Sequence, residues 1–355
     1  MLVLGRRERV VLVTAFAVTV VSGILSAASA NPVLVFVVSG VALALLAAMV
    51  GQATEQLGER LGPGATGVLQ SALGNLPELF VSIFALRLGN VTVVQATIVG
   101  SVLGNSLLVL GLAFFVGGLR HGTQRFASGP PRMIASLTVL AVAALAVPTL
   151  AHGLHTPAAA HTDTLSIACA VVLLIVFAAS IPFSLSGGGS AVPGPDVESQ
   201  EARWPLWLSA TILAASGVGA AFVSDLFVNA LTPAITVLHI SNAFTGLVIV
   251  AIAGNAVENF VGVQLAARNK PDYAISVILN SSLQVALALT PILVLLSYVI
   301  GGAHLTLVLP GLFVAALALS AILSALIVYD GESTWLEGIA LMGLYGIVAT
   351  AFWWG

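Results

Sequence analysis

The sequence predicts an all-α membrane protein of about eleven transmembrane helices, one N-terminal helix followed by two inverted repeats of five helices. Three observations predict this fold. Hydrophobic residues make up 59% of the 355 residues and charged residues only 7%, whereas a soluble domain carries about 25% charged residues. The apolar residues form runs of membrane-spanning length. A motif in the third run also recurs later in the chain.

A helix needs about 20 residues to cross roughly 30 Å of hydrocarbon. Residues 228–239, beside Pro233, form a shorter apolar run that we interpret as a connector or a re-entrant segment. The predicted spans are about 10–29, 32–51, 64–88, 91–118, 133–151, 164–185, 204–228, 241–267, 272–300, 305–328 and 335–354.

The first span has a competing interpretation. Arg6-Arg7, an apolar stretch and the small residues at 26–30 resemble a secretory signal with a cleavage site. The apolar stretch is about 18 residues long, whereas a signal core has 7–15. We therefore expect the first helix to be retained.

The repeat is carried by a short motif that contains an acid. Gly74-Asn75-Leu76-Pro77-Glu78 aligns without a gap with Gly254-Asn255-Ala256-Val257-Glu258, 180 residues later. Each copy places one carboxylate in an apolar segment. A duplicated acid within the membrane is typical of a transport site.

The duplication divides the chain into two units of five spans. Because five is odd, the second unit starts from the opposite side of the membrane, and the repeats are inverted. The predicted divisions are 1–30 for the N-terminal helix, 31–185 for the first repeat, 186–203 for a cytoplasmic linker and 204–355 for the second repeat.

The positive charges predict the orientation. With a cytoplasmic N-terminus, ten of the eleven Lys and Arg residues fall on the cytoplasmic side, and only Arg87 falls outside. These scattered charges form no basic patch suited to nucleic acid. The single cysteine, Cys169, allows no intrachain disulfide and is interpreted as a small buried apolar residue.

Two other clusters could carry function. The linker acids Asp196, Glu198 and Glu201 could form a weak regulatory cation site, but such a site needs more acids, and a solvated loop explains them better. The loop histidines could bind metal or sense pH, but nearby loop histidines are more often only solvated. These are His152, His155 and His161.

A polar stripe crosses the third span. Ser71, Asn75, Glu78 and Ser82 recur at steps of four, three and four, which places them on one helix face. A carboxylate at the centre of a bilayer costs roughly 2.5–3.5 kcal/mol or more, and no Lys or Arg lies at comparable depth in any span. The alternative to an ion site is a permanently protonated glutamate that donates a hydrogen bond between helices.

The motif residues suit a hard cation. Ca²⁺ binds six to eight oxygens from carboxylates, amides, backbone carbonyls and water. Glu78 and Glu258 would supply carboxylates, and Asn75 and Asn255 would either supply amide oxygens or orient the acids. Local unwinding of the helices would be permitted by Gly74 and Gly254 and favoured by Pro77.

The span after each motif also has interior polar groups. Ser101 and Ser281 occupy equivalent positions in the repeat and are the better candidates for the site. Their neighbours are Gln95, Thr97 and Asn105 in the first half and Asn280, Ser282 and Gln284 in the second.

These motifs resemble the cation/proton exchanger family, the Ca²⁺/H⁺ antiporters of the calcium/cation antiporter superfamily. The first repeat resembles it in Gly74-Asn75-x-x-Glu78-Leu79 and in the run from Gly100 to Gly111. The second does so in Gly254-Asn255-Ala256-x-Glu258, Lys270-x-Asp272 and Ser281-x-x-Gln284 with Pro291.

The resemblance implies that Glu78 and Glu258 carry the cation and the protons. It also implies that Asn75, Asn255, Ser101, Ser281 and Gln284 line the site. The glycine–asparagine pair before the acid resembles the proton-coupled branch. Four positions depart from the family pattern: Asn259 replaces a frequent histidine, Asn280 a glycine and Gly104 a serine, while Pro77 is more typical of sodium-coupled relatives.

We therefore expect a secondary transporter that exchanges Ca²⁺ for H⁺ by alternating access, needs no cofactor and has the lipid bilayer as its surroundings. Short loops indicate a prokaryotic inner membrane with a cytoplasmic N-terminus. The alternatives are a Na⁺/Ca²⁺ exchanger or a monovalent cation/H⁺ antiporter on the same scaffold. An enzyme is disfavoured because no paired catalytic side chains lie within the spans, where His239 stands alone.

Overall fold

The computed structural model describes residues 4–61, 73–185 and 204–354. These residues form an all-α membrane protein, as predicted, with one short antiparallel pair of strands. The predicted linker 186–203 and Ser71 lie outside the described residues. The divisions of the chain into repeats therefore remain a prediction.

Apart from residues 62–72, which the structure does not describe, the helices of the first half follow one another with short connections. A single 3₁₀ turn, Pro157–His161, precedes α6. The elements are α1 Arg6–Ala27, α2 Pro32–Leu61, α3 Leu76–Arg87, α4 Val91–His121, β1 Gln124–Arg125, α5 Gly129–Gly153 and α6 Thr162–Leu185.

The second half likewise begins with a long helix, but its strand lies directly before its last helix, whereas β1 follows α4. Its long first helix packs along α2, the counterpart in the first half. The elements are α7 Leu206–Leu238, α8 Asn242–Gly254, α9 Ala256–Ala267, α10 Pro271–Ser297, α11 Gly311–Ile327, β2 Glu332–Ser333 and α12 Trp335–Trp353.

In the described part of the chain, eight helices are long and apolar enough to span a membrane, or nine if α8 and the bent continuation in α9 count as one span. The predicted third span, 64–88, extends over undescribed residues. The predicted tenth span contains α11, which has 17 residues. The count of eleven therefore remains a prediction.

The expected connector at 228–239 is wrong, because α7 runs unbroken through it and Pro233 lies inside the helix. A proline removes one backbone hydrogen bond and tends to kink a helix, but packing against α2 extends along α7. The helix ends only at His239, whose φ of 53° is left-handed.

Equivalent positions of the two motif regions share their backbone conformation as well as their sequence. The motif helices begin after Asn75 (φ −94°, ψ 19°) and Asn255 (φ −90°, ψ 20°), which have the same non-helical backbone conformation. Gly89 (φ 79°) and Asn269 (φ 58°) both take the left-handed conformation after the motif helix. Wider π-helical turns then occur at matching places in α4 and α10, Gly104–Val109 and Val285–Leu289.

Three loops meet at one end of the molecule, and we call residues 121–132, 266–272 and 329–334 the platform. Strand β1 pairs with β2, Gln124 donates to Asn269 Oδ1 at 3.0 Å, and the Ala127 N–H donates to Asp272 Oδ1 at 2.7 Å. The predicted topology assigns all three loops to the cytoplasmic side. Their mutual contacts place them at one end.

The opposite end is marked by the start of α4. The Ala303 N–H donates to Leu86 O at 3.0 Å there, while His121, at the other end of α4, contacts Ala267 O at 3.1 Å. Thus α3 ends where α4 begins, and α9 ends where α4 ends. The two motif helices run in opposite directions between the two ends.

Candidate functional site

The two motif glutamates occupy equivalent positions in interrupted helices. Helices α3 and α9 begin directly after Asn75 and Asn255, and Glu78 and Glu258 are their third residues. The first-turn N–H groups of a helix lack intrahelical partners and form the positive end of its dipole. Each break therefore places an acidic side chain at the positive end of a helix dipole inside an apolar protein.

Glu78 is enclosed. Its side chain is 1% exposed, and neither carboxylate oxygen has a hydrogen-bond partner among the described residues. It lines a cavity of about 10 Å³ whose other walls are apolar, including Leu43, Phe227 and Val250. That volume is at the lower limit for one water molecule. An unpaired charge in such surroundings costs several kcal/mol, so this carboxyl group calls for a bound proton or cation.

Gly254, from the second half, forms one wall against Glu78. A Cβ at this glycine would lie 2.6 Å from Glu78 Cδ and Oε1. Gly254 itself remains helical, and the break comes one residue later at Asn255. The absence of a side chain at Gly254 thus makes room for the carboxylate of the other half.

Glu258 is less enclosed than Glu78. Its side chain is half-buried, and it follows by four residues Gly254, which lies against the Glu78 carboxylate. The structure therefore brings the two acids into one region from oppositely directed helices. Both were named from the sequence repeat alone.

Pro77 and Gly74 have narrower roles than expected. Pro77 is buried in the first turn of α3, where its missing N–H would be unpaired in any case. The second copy breaks in the same way with Val257 at the matching position, so a proline is not required for the interruption. Gly74 lies half-buried in the turn before Asn75.

Asn255 is the centre of a hydrogen-bond network between the halves. Its amide donates to Ser101 Oγ at 3.0 Å and to Ala251 O at 3.0 Å. Its amide oxygen accepts from Ser281 Oγ at 3.2 Å and from Asn105 Nδ2 at 3.3 Å. All four bonding positions are occupied. Of the two roles considered for Asn255, this arrangement favours orienting neighbours over ligating an ion.

Asn105 is a site residue that the sequence argument did not select. It bridges Asn255 and Ser281, donating to Ser281 Oγ at 2.9 Å. One signal was available, since Asn105 follows Ser101 by four residues on one helix face. The repeat gave no support, because Val285 occupies the equivalent position.

The remaining predicted residues lie close by in the chain. Asn75 is buried at 7% exposure, and Gln284 is half-buried at the start of the π-helical turn in α10. Ser82, one turn after Glu78, has a buried hydroxyl without a partner among the described residues. It extends the polar stripe predicted for α3.

Among the residues that the structure describes around the two acids, the site offers oxygens and no cationic side chain. Among the described residues the one recorded salt bridge, Arg125 to Glu332 at 3.0 Å, lies in the platform. Two carboxylates surrounded by hydroxyl and amide groups suit a hard cation or protons. No group of three His, Cys, Asp or Glu side chains in the described ranges is arranged to hold a metal, so the structure gathers no such group around His152, His155 and His161.

Comparison with known proteins agrees with this arrangement. The sodium/calcium exchanger protein family matches residues 31–186 and 208–354. A Ca²⁺/H⁺ antiporter of Synechocystis sp. is 37% identical over 336 residues, with 90% of each chain covered. The Ca²⁺/H⁺ antiporter ChaA of Bacillus subtilis is 34% identical over 324 residues, covering 89% of this chain and 91% of that protein.

Solved structures give the same fold. Native YfkE superposes with a TM-score of 0.82 at 30% identity, covering 97% of this chain and 99% of its own. The H⁺/Ca²⁺ exchanger CAX has a TM-score of 0.71 at 15% identity, covering 98% of this chain and 92% of its own, and shows the fold alone. The resemblance of the two motifs to an exchanger family is confirmed. The chain belongs to the sodium/calcium exchanger protein family.

Proposed function

We propose that the protein is a secondary transporter that exchanges Ca²⁺ for H⁺ across a membrane by alternating access. The observation that carries the proposal is the enclosed, unpaired carboxyl group of Glu78, with Glu258 close by at the equivalent position. The curated relatives named as Ca²⁺/H⁺ antiporters support the choice of ions.

Charge balance explains the coupling. With both glutamates ionised and no ion bound, two like charges share a poorly solvated region, which is costly. One Ca²⁺ neutralises both charges, and so do two protons. The loaded and the doubly protonated states can therefore change sides, while the bare site changes sides reluctantly. Exchange is then favoured over leak.

The neutral residues have supporting roles in this mechanism. Asn255 is held by Ser101, Asn105 and Ser281, and it fixes the start of α9 and so the position of Glu258. The buried amide of Asn75 has no such network among the described contacts and can offer its oxygen beside Glu78. The distribution of positive charges supports a cytoplasmic N-terminus, and the short loops support a prokaryotic inner membrane.

The test is ion exchange by purified protein in lipid vesicles. An imposed pH gradient should drive Ca²⁺ uptake in sodium-free buffer. Glu78→Gln and Glu258→Gln should each reduce uptake at least 100-fold, since an amide cannot exchange a proton. Asn229→Ala, which removes an exposed amide that bonds its own helix, is the control.

The alternatives predict different results. Uptake that requires sodium would establish a Na⁺/Ca²⁺ exchanger, and a pH gradient collapsed by Na⁺ or K⁺ but not by Ca²⁺ would establish a monovalent cation/H⁺ antiporter. Undiminished uptake by both glutamine variants would refute the assignment of the site.

A further inference from the structure

A second small cleft lies between α4 and the α8–α9 segment, and part of its lining is polar. Its volume is about 10 Å³, and its lining includes Ser101, Asn105, Asn255 and Asn259. The cavity beside Glu78 has apolar walls apart from that acid. The two cavities, each lined by residues of both halves, thus differ in polarity.

Among the polar residues that line the cleft, one buried oxygen atom has no hydrogen-bond partner in the described part of the chain. The amide of Asn255 is fully used, and that of Asn105 donates to Asn255 and Ser281. The Oδ1 atom of Asn259 is buried without a partner among the described residues. Leaving a buried hydrogen-bond acceptor without a donor is costly. A ligand that binds this oxygen during part of the transport cycle would offset that cost.

The position of Asn259 points toward one end of the molecule. It follows Glu258 directly and lies one turn beyond Asn255 along α9, which ends at the platform. The equivalent residue in the first half is Leu79. This amide therefore has no counterpart beside Glu78.

We propose that Asn259 is a further cation ligand, whose amide oxygen holds partly dehydrated Ca²⁺ on its way between the platform end and Glu258. The proposal rests on the proposed Ca²⁺/H⁺ exchange. A neutral amide oxygen binds hard cations and carries no proton of its own at physiological pH. Asn259 therefore acts on the calcium limb of the cycle from one side, and not on the proton limb.

The test measures calcium dependence from each side separately. Inside-out and right-side-out vesicles containing Asn259→Ala, Asn259→Asp or the control Asn229→Ala are given Ca²⁺ at one face at a time. Asn259→Ala should raise the Ca²⁺ concentration for half-maximal exchange about tenfold at the platform face. The Ca²⁺ concentration for half-maximal exchange at the other face should stay unchanged, and so should the dependence of the exchange rate on proton concentration.

Asn259→Asp keeps an oxygen in place and adds a negative charge, so it should lower the Ca²⁺ concentration for half-maximal exchange at the platform face. This variant keeps the proposal testable if the alanine variant folds poorly. Unchanged calcium dependence in either variant, or equal changes at both faces, would overturn the role of Asn259. Wild-type protein that fails to exchange Ca²⁺ for H⁺ would instead overturn the proposed function.

Discussion

Replacing Gly254 by alanine tests the position of the Glu78 carboxylate directly. The added Cβ would lie 2.6 Å from Glu78 Cδ and Oε1 and 2.7 Å from Cγ, whereas ordinary contact begins at 3.4 Å. The carboxylate must therefore withdraw by about 0.8 Å. Calcium–oxygen distances span only about 0.3 Å, from 2.3 to 2.6 Å, so the displaced oxygen no longer fits the coordination sphere.

We expect Gly254→Ala to raise the Ca²⁺ concentration for half-maximal exchange about 10- to 100-fold. This is the range found when residues that orient metal ligands are mutated. Folding should not suffer in the same way. The clash falls on the end of a flexible side chain, and alanine favours a helix over glycine by up to about 1 kcal/mol. Lost affinity with retained thermal stability is therefore the expected signature.

The matched control is Gly343→Ala, since Gly343 is also helical and a Cβ there meets nothing within 4 Å. It should leave exchange unchanged. A second comparison isolates the cause. Glu78→Asp shortens the side chain by one carbon and moves the carboxylate away from residue 254. In that background Gly254→Ala should add little further loss.

The assay is Ca²⁺-driven proton movement in vesicles, with thermal unfolding in detergent measured in parallel. If Gly254→Ala exchanges Ca²⁺ with the same half-saturating concentration as the wild type, the reasoning is refuted, because Glu78 is then not a Ca²⁺ ligand in its observed position. An equal loss in the presence and absence of Glu78→Asp would show that the alanine acts elsewhere.

Two further predictions concern the fold and the stoichiometry. Gly100→Ala would place a Cβ 2.5 Å from Leu247 Cα and against the Leu247 carbonyl, and because backbone cannot yield easily it should destabilise the protein by roughly 1–3 kcal/mol or more. An unchanged unfolding temperature in detergent would contradict that close helix crossing. Exchange of one Ca²⁺ for two protons moves no net charge, so its rate should not change when valinomycin and K⁺ set the membrane potential. A rate that follows the potential would contradict the two-proton count.

The site acids could be predicted because the repeat preserves local chemistry. An apolar run interrupted by glycine, asparagine and an acid gives the same turn at Asn75 and Asn255. These signals lie within a few residues of one another, so sequence order alone reveals them. The apolar segments follow from hydrocarbon thickness in the same local way, but their ends do not. Helix α2 continues to Leu61, past its predicted end at residue 51, and packing against α2 carries α7 past Pro233.

Contacts between the halves could not be predicted in this way. Glu78 lies against Gly254, and Asn105 bonds Asn255 and Ser281, although these residues are far apart in the chain. Which side chains meet depends on where helices cross, and that depends on close backbone approach at Gly100 and Leu247. The sequence therefore predicted the two acids and several of their neighbours, but not the contacts that join them across the halves.

The unlike surroundings of the two acids bear on the proposed transport cycle. Glu78 is enclosed by apolar walls, while Glu258 is half-buried and adjoins Asn259, which lines a partly polar cleft. Because α3 and α9 run in opposite directions, exchanging the local conformations of the two halves would enclose Glu258 and open Glu78 toward the other end. The exchange would not be symmetric in chemistry, since Leu79 stands where the second half has Asn259. On this mechanism calcium is bound more tightly when it arrives from the platform end, and the two directions of exchange differ in apparent affinity although one pair of carboxylates serves both.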